Sequence, residues 1–238
     1  MFWIRLFSFI KYSDDTAIED TSNSHDSYAH EVKKFSEWCK ENYLELNVRK
    51  TKELVIDFRK NATVPPNLFI DGMKVERVDQ YKYLGTIIDN KLNFNANTSA
   101  IHKKCQSRLY CLQKLRSIQV KQKVLSMFYR CFLESVLTFG FLCWFGGLSV
   151  KNKNVLERVV RVSGKVIGKE QESLSKLYER RAIQKAKAIA MDSTHVLAQH
   201  YELLPSGRRY NMIRVPTVRS RNSFVCNSIV LLNNHNYH

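Results

Sequence analysis

The hydrophobic pattern changes near the polar stretch Asn93–Ser99, and this change constrains the fold more than any other feature of the sequence. Before it, apolar residues form short runs separated by Asp, Asn, Gly and Pro, which is typical of strands and turns. After it, apolar residues recur every three or four positions, which predicts α-helices. The sequence therefore predicts an α+β protein. Residues 1–98 would hold a small antiparallel sheet and one helix, and residues 99–204 a helical domain.

One helix is predicted in the first domain, from Tyr28 to Tyr43, and Asn47 is expected to end it. Its apolar residues share one helical face and are Tyr28, Val32, Phe35 and Cys39. The dipeptide Asp71-Gly72 is a strong hairpin signal. Strands are predicted on both sides of this turn and elsewhere in the domain, at Phe7–Tyr12, Glu53–Phe58, Leu68–Ile70, Lys74–Val78 and Tyr81–Ile88.

Four helical segments are predicted after the polar stretch. The first two carry apolar rows at helical spacing, Ile101, Cys105, Leu112 and Leu115, then Val124, Phe128, Phe132 and Val136. The other two are expected at Asn154–Ile167 and Ser173–Met191. From Pro205 onward the chain is basic and interrupted by Pro and Gly, so residues 205–238 are expected to form a largely irregular tail.

The formal charge of the chain is +16, and it is unevenly distributed. Residues 1–98 hold 14 basic and 15 acidic residues, a net charge of 14 − 15 = −1. The remaining residues hold 24 basic and 7 acidic ones, which gives 24 − 7 = +17. A half-chain this basic is typical of a protein that binds polyanions, but a solvated lysine-rich helical surface explains the same excess.

Several classes of protein and site are not favoured by the sequence. The six cysteines form no C-x-x-C pair, and Cys39, Cys105 and Cys131 lie in apolar helical registers, which predicts reduced core thiols. There is no H-E-x-x-H motif, no His-x-Asp pair and no glycine-rich phosphate loop. The uncharged run Ser135–Leu148 is shorter than the roughly 18–20 residues of a spanning helix, so it is predicted to be core. The start MFWIRLFSFI lacks a cleavage site for a secretory signal. These features together predict an intracellular protein, nuclear or cytoplasmic, without stable membrane association.

The hexapeptide KYSDDT, Lys11–Thr16, follows the first predicted strand. Successive residues of a strand point to opposite faces, so Asp14 and Asp15 share a site only if they lie at a turn. A hairpin tip here would present carboxylate oxygens, the ligands that Mg²⁺ prefers. Taken alone, two adjacent aspartates in a turn are more often structural.

The order of motifs around this hexapeptide resembles the carboxyl-terminal part of the reverse transcriptase of LINE-type non-LTR retrotransposons. FIKYSDDTAI is followed by a helix, by LELNVRKTKELVIDF, by YKYLGTIID and LNF, and near the end by LLPSGRRY. The resemblance implies a catalytic palm hairpin at Tyr12, Asp14 and Asp15, with Mg²⁺ on the two aspartates. It further implies nucleotide or primer contacts by Lys50, Lys52, Tyr81, Tyr83 and Gly85, a helical thumb, and RNA or an RNA/DNA hybrid as partner.

The same resemblance implies that one catalytic group is missing. Family polymerases use a further aspartate on a strand well upstream of the hairpin, and only ten residues precede Lys11. A two-ion site without that carboxylate would hold Mg²⁺ weakly, because Mg²⁺ demands near-ideal octahedral geometry. We therefore expect a truncated copy of the polymerase that does not extend primers on its own.

Each candidate contact residue also has a structural explanation. Lys50 and Lys52 would serve equally as solvated lysines between a helix and a strand, and Tyr81 and Tyr83 as packing under a hairpin. The basic residues of the second half would contact phosphates or form a solvated face. They are Arg180, Arg181, Lys185 and Lys187 in the fourth helix, and Arg208, Arg209, Arg214, Arg219 and Arg221 in the tail.

A second resemblance concerns the segment from Ser99 to Gly140. It is similar to the short helical module at the amino terminus of AlkB homologue 8, a tRNA-modifying protein whose oxygenase and methyltransferase activities reside in other domains. Iron- and 2-oxoglutarate-dependent chemistry needs a His-x-Asp pair, which this sequence lacks. The segment would therefore be a helical nucleic-acid-associated module without that chemistry.

Overall fold

The computed structural model describes residues 7–20, 25–59, 61 and 64–235. These divide into two compact units. The first holds the described residues up to Tyr81 together with Asp89–Leu92, and the second holds Lys82–Ile88 and the described residues from Asn93 onward. The predicted α+β class is confirmed, with 52% of the described residues helical. Predictions for residues 1–6 and 236–238 lie outside the described residues.

Eight strands and nine α-helices lie within the described ranges. The strands are β1 (Phe7–Tyr12), β2 (Asp15–Asp20), β3 (Lys52–Glu53), β4 (Phe69–Ile70), β5 (Met73–Lys74), β6 (Glu76–Arg77), β7 (Gln80–Tyr83) and β8 (Thr86–Asp89). The helices are α1 (His25–Glu41), α2 (Asn95–Ser117), α3 (Gln122–Phe128), α4 (Ser135–Leu137), α5 (Phe141–Trp144), α6 (Val150–Ile167), α7 (Leu174–Met191), α8 (Val218–Arg221) and α9 (Phe224–His235). A π-helical segment, Tyr129–Glu134, joins α3 to α4.

The first unit contains two antiparallel hairpins, β1–β2 and β4–β5, and both predicted turns are confirmed. At the second turn Asp71 and Gly72 have φ of 50° and 75°, as a two-residue turn with two left-handed positions requires. The Asp71 carboxylate accepts a hydrogen bond from Lys40 Nζ at 2.6 Å, which ties this turn to α1. Beneath the helix lies an apolar core of Val32, Val48, Leu68, Ile70 and Val75.

Helix α1 follows the predicted apolar row, but its end differs from the prediction. Val32 and Cys39 are buried. The helix ends at Glu41, where Tyr43 turns to φ 56° and Leu44 N–H donates to Cys39 O. Asn47 instead begins a separate turn, because its Oδ1 accepts the backbone N–H of Lys50.

Three of the predicted strands are wrong in extent. The predicted strand Lys74–Val78 is divided between the last residue of β5 and the separate strand β6. The predicted strand Glu53–Phe58 is reduced to β3, which pairs in parallel with the two-residue β6. Residues 54–58 follow it without strand structure, because β6 offers no further backbone to pair with. The predicted strand Tyr81–Ile88 is a hairpin, β7–β8, since Leu84 and Gly85 both have positive φ and reverse the chain.

In the second unit, the predicted third and fourth helices are confirmed as α6 and α7. Each begins after a serine, Ser149 or Ser173, whose side chain caps it by accepting a backbone N–H. The polar stretch Asn93–Ser99 is largely helical, because α2 already begins at Asn95. Asn97 is buried there and its Oδ1 accepts the backbone N–H of Ile87 at 3.1 Å.

The predicted buried row of the second helical segment is wrong by one residue. Val124 and Phe132 are exposed and Phe128 and Val136 only half-buried. The buried residues are the next ones along the chain, Leu125, Tyr129, Leu133 and Leu137. Both rows repeat every four residues and both are apolar, so spacing alone does not distinguish them.

The run Ser135–Leu148 is core, as predicted: Leu137, Phe141, Trp144, Phe145 and Leu148 are all buried. Among the helices that the structure describes, none combines the length and the apolar character needed to cross a bilayer.

All six cysteines are free, but they are not all buried. Cys39 and Cys105 are buried as predicted. Cys131 is exposed, which corrects the prediction of a core thiol. Cys131 lies two residues from both Tyr129 and Leu133, so its side chain does not share the buried face of the helix.

The end of the chain is more ordered than expected. Helices α8 and α9 follow an irregular stretch that extends to Thr217, so only the first part of the tail has the irregular structure predicted for it. Ile229 and Leu232 of α9 are buried against Ala186 and Ile189 of α7. Apolar residues at this spacing make the segment a packed helix.

Candidate functional site

The β1–β2 hairpin places Asp14 and Asp15 at one exposed tip. Tyr12 and Asp15 are partners in the last pair of the ladder, and Ser13 and Asp14 make the turn, with Ser13 at φ 56°. Tyr12 is 64% exposed, and both aspartates are exposed. The two carboxylates supply hard oxygen donors of the kind that Mg²⁺ prefers. Within the described ranges, no cluster of three or more His, Cys, Asp or Glu side chains forms a metal site.

The two lysines predicted to contact nucleotide differ in their surroundings. Lys50 is exposed, just after the Asn47 turn. Lys52 lies opposite Glu76 in the β3–β6 pair, and its Nζ is 2.5 Å from Glu76 Oε2. A phosphate would have to displace this carboxylate to bind Lys52, so Lys50 is the more available cation.

A buried ion pair beside Lys52 was not predicted from the sequence. Glu53 is 6% exposed, and its Oε2 accepts a hydrogen bond from Arg77 Nε at 2.7 Å. The same guanidinium donates to the backbone carbonyls of Pro65 and Pro66, so it joins three segments of the first unit. Burial, and secondarily the charge of Glu53, raise the pKa of Tyr28 to about 12. The pair fixes the register of β3 and thereby the position of Lys52.

The β7–β8 hairpin holds the tyrosines and glycine assigned to primer contact. Tyr81 is 40% exposed, whereas the hydroxyl of Tyr83 is buried and has no hydrogen-bond partner among the described residues. Gly85 has φ 89°, and a Cβ built on it would lie 3.0 Å from Cε1 of Phe139. Both the turn and the close approach of Phe139 require glycine here, which gives Gly85 a structural role.

Helix α7 carries four of the predicted phosphate contacts, and two of them have internal partners. Arg180 Nη2 lies 2.6 Å from Glu172 Oε2. Arg181 lies 3.6 Å from Glu134 and over the ring of Phe141.

The other two basic residues of α7, Lys185 and Lys187, are exposed. A shallow depression of about 370 Å³ brings Lys187 together with Arg180 and with Lys176, a cation that the sequence did not single out. Helical spacing explains the grouping, since Lys176, Arg180 and Lys187 lie four and seven residues apart.

The tail arginines are exposed in two settings. Arg208, Arg209 and Arg214 lie in the irregular stretch, and Arg219 and Arg221 lie in α8. The predicted contact residues are thus distributed over both units. Asp14, Asp15, Lys50, Lys52 and Tyr81 belong to the first unit, and Tyr83, Gly85 and the predicted contacts of α7 and the tail belong to the second.

Comparison with known proteins gives two partial similarities. One curated relative is named "Probable RNA-directed DNA polymerase from transposon BS", from Drosophila melanogaster, and is 24% identical over 148 residues. The match covers 59% of this chain but only 16% of the relative. It supports a reverse-transcriptase-like region within the chain.

The second similarity is to a family model. The family "Alkylated DNA repair protein alkB homolog 8, N-terminal" matches residues 94–135. The matched stretch comprises α2, α3 and the π-helical segment, together with Ser135, the first residue of α4. No solved structure matches the chain.

Proposed function

We propose that this chain is the carboxyl-terminal part of a LINE-type RNA-directed DNA polymerase that binds RNA or an RNA/DNA hybrid. Residues 1–98 would be part of the palm, residues 99–204 a thumb-like domain, and residues 205–238 a basic tail. The similarity to a transposon polymerase supports this assignment. The order of the YSDD hairpin, α1, the β7–β8 hairpin and the following helices agrees with it.

The observation that carries the proposal is the exposed tip of the β1–β2 hairpin. Asp14 and Asp15 are adjacent and face solvent at its end, where a bound nucleic acid would have access to them. In the intact polymerase these carboxylates would hold Mg²⁺, which neutralises phosphate charge and activates the attacking hydroxyl. Tyr12, paired with Asp15, would fix the register of the tip.

Affinity for the nucleic acid is assigned to the second unit. Lys185 and Lys187 of α7 and Arg208 of the tail are exposed, and no ion pair with another described residue occupies them. Such cations bind phosphates without reading sequence, and each phosphate that they neutralise releases counterions.

A salt titration of hybrid binding tests this assignment. A fluorescent RNA/DNA hybrid is titrated with the full chain at increasing KCl, for the wild type and for Lys185→Gln/Lys187→Gln. We expect the variant to bind more weakly at low salt, with a salt slope smaller by about 0.9 for each phosphate that it no longer neutralises. The matched control is Lys33→Gln/Lys34→Gln, the same charge change on exposed lysines of α1 that pair with Glu37 and Glu31. An equal weakening in both variants, or a flat salt response in the wild type, would contradict the assignment.

Primer extension with Mg²⁺ tests the hairpin separately. We expect the full chain to show no extension above background, and Asp14→Asn and Asp15→Asn to leave the affinity for the hybrid unchanged. Robust extension that Asp14→Asn abolishes would contradict the expected inactivity of the chain. Extension that survives both substitutions would show that the hairpin is not the catalytic element.

The family match to residues 94–135 favours a second candidate function, a helical nucleic-acid-associated module like the amino-terminal part of AlkB homologue 8. Under this alternative, residues 94–135 alone would account for RNA binding. Substitutions confined to that segment, such as Lys103→Gln/Lys104→Gln in α2, would then weaken binding more than the α7 pair does. Iron-dependent turnover of 2-oxoglutarate by the chain would extend the similarity to dioxygenase chemistry.

A further inference from the structure

An apolar face lies exposed along α3 and the π-helical segment. It consists of Val124, Met127, Phe128, Cys131 and Phe132, and we call it the α3 apolar face. Val124 is 42% exposed, Met127 60% and Phe132 50%. The rings of Phe128 and Phe132 stack at a centroid distance of 4.7 Å. Phe128 is half-buried, and the described residues leave the rest of this face open to solvent.

The π-helical segment keeps the face straight. In an α-helix, residues four apart rotate by about 40° around the axis, so a row with that spacing spirals away. The π-helical segment has i→i+5 hydrogen bonds and a wider turn, which rotates such a row back. Val124, Phe128 and Phe132 therefore remain in one line, with Met127 and Cys131 beside them. π-helical turns inside helices are frequent at functional sites.

The part of the chain that carries the face is strongly basic. Between Asp89 and Glu134 the sequence contains nine Lys and Arg residues and no Asp or Glu. Lys123 and Arg130 are exposed within the α3 and π-helical segments themselves. Arg108 of α2 donates a hydrogen bond to the backbone carbonyl of Phe132. Glu134, the acid that ends this stretch, lies 3.6 Å from Arg181 and is partly neutralised by it.

We infer that the α3 apolar face is a docking site for an amphipathic helix with acidic flanks, carried by a protein partner. Apolar side chains at three- and four-residue spacing match the apolar stripe of such a helix. Lys123, Arg130 and Arg108 would complement carboxylates that flank such a stripe. The inference is independent of polymerase function, because it concerns neither the hairpin carboxylates nor α7.

The side chains of the face favour a protein helix over a nucleic-acid strand. Val124 and Met127 are aliphatic and offer no π face on which a base could stack. Phe128 and Phe132 stack on each other, so each has one ring face already covered. An apolar surface of this kind gains most from burial against other apolar side chains.

Binding of designed helical peptides tests the inference. The probe is a fluorescein-labelled peptide with Leu at the a and d positions and Glu at the flanking positions, and a second probe has Lys in place of Glu. We expect the full chain to bind the Glu peptide saturably and the Lys peptide much more weakly. Met127→Ser and Phe132→Ser should each weaken binding of the Glu peptide about tenfold, as expected for central residues of a small interface.

Met191→Ser is the matched control, since Met191 is 87% exposed at the end of α7, away from the α3 apolar face in sequence. It should leave peptide affinity unchanged, and circular dichroism should show all three variants folded. The inference is overturned if the Glu peptide does not bind, if the Lys peptide binds equally, or if Met191→Ser has the same effect. It is also overturned if Met127→Ser abolishes binding of a single-stranded RNA but leaves peptide binding intact, because the face would then be a nucleic-acid surface.

Discussion

Truncating Leu133 and Phe132 in turn tests the register of the π-helical segment. Leu133 has no exposed surface, and Leu→Ala at such sites costs about 2–5 kcal/mol, so we expect stability to fall by about 3 kcal/mol. Phe132 is 50% exposed and stacks on Phe128. Removing that aromatic pair costs about 0.5–1.5 kcal/mol, so we expect about 1 kcal/mol for Phe132→Ala.

The assay is urea unfolding followed by the fluorescence of Trp144, which is buried in the second unit. Replacing Trp3 and Trp38 by Phe leaves Trp144 as the one tryptophan of the chain. The expected difference of about 2 kcal/mol corresponds to midpoints separated by about 1 M urea for a typical m-value near 2 kcal/mol/M. A larger decrease in stability for Phe132→Ala than for Leu133→Ala would refute the register and would make the row predicted from spacing the buried one.

Three further outcomes follow from buried contacts. Gly85→Ala should destabilise the fold by about 1–2 kcal/mol, because alanine is strained at φ 89° and its Cβ meets Phe139. Thermal melting should show that part of the lost stability returns when Phe139→Ala is added. Arg77→Ala should lower the free energy of unfolding in urea by about 3 kcal/mol, because it leaves the Glu53 carboxylate buried without its cation. Glu53→Gln should lower it by less. Equal decreases for the two variants would argue against a buried charge. Tyr28 has its pKa raised to about 12, so it stays protonated in the folded state while it ionises near pH 10 in the unfolded chain. The stabilisation that Tyr28 contributes is therefore complete below about pH 10 and is lost as the pH rises towards 12. In Tyr28→Phe, the free energy of unfolding should depend less on pH over that range.

Features set by neighbouring residues were predictable from the sequence. The YSDD hairpin, the Asp71-Gly72 turn and helices α6 and α7 all depend on contacts within a few residues. In α6 and α7, serine caps and an apolar stripe favour the same local structure, so local and global preferences agree.

Features that depend on distant partners were not predictable in the same way. The segment Glu53–Phe58 has strand composition, but a strand forms only where another backbone pairs with it, and β6 supplies two residues. The register of α3 likewise depends on which apolar row meets the rest of the core. Four-residue spacing is satisfied by both rows, and the π-helical segment that maintains the buried one carries no distinctive motif in the sequence.

The same limit applies to the candidate site, where the turn at Asp14 and Asp15 was predictable but the ion-pair partners of the cations were not. Nothing in the sequence indicates partners for Lys52 and Arg180. In the structure Lys52 lies 2.5 Å from the Glu76 carboxylate, and Arg180 lies 2.6 Å from the Glu172 carboxylate. A phosphate gains less from a cation that already has a partner, because the carboxylate must first be displaced into water. The net charge of +16 therefore overstates the phosphate-binding capacity of the chain. Lys185 and Lys187, which form no ion pair with the described residues, should contribute more affinity per charge than the paired arginines of α7.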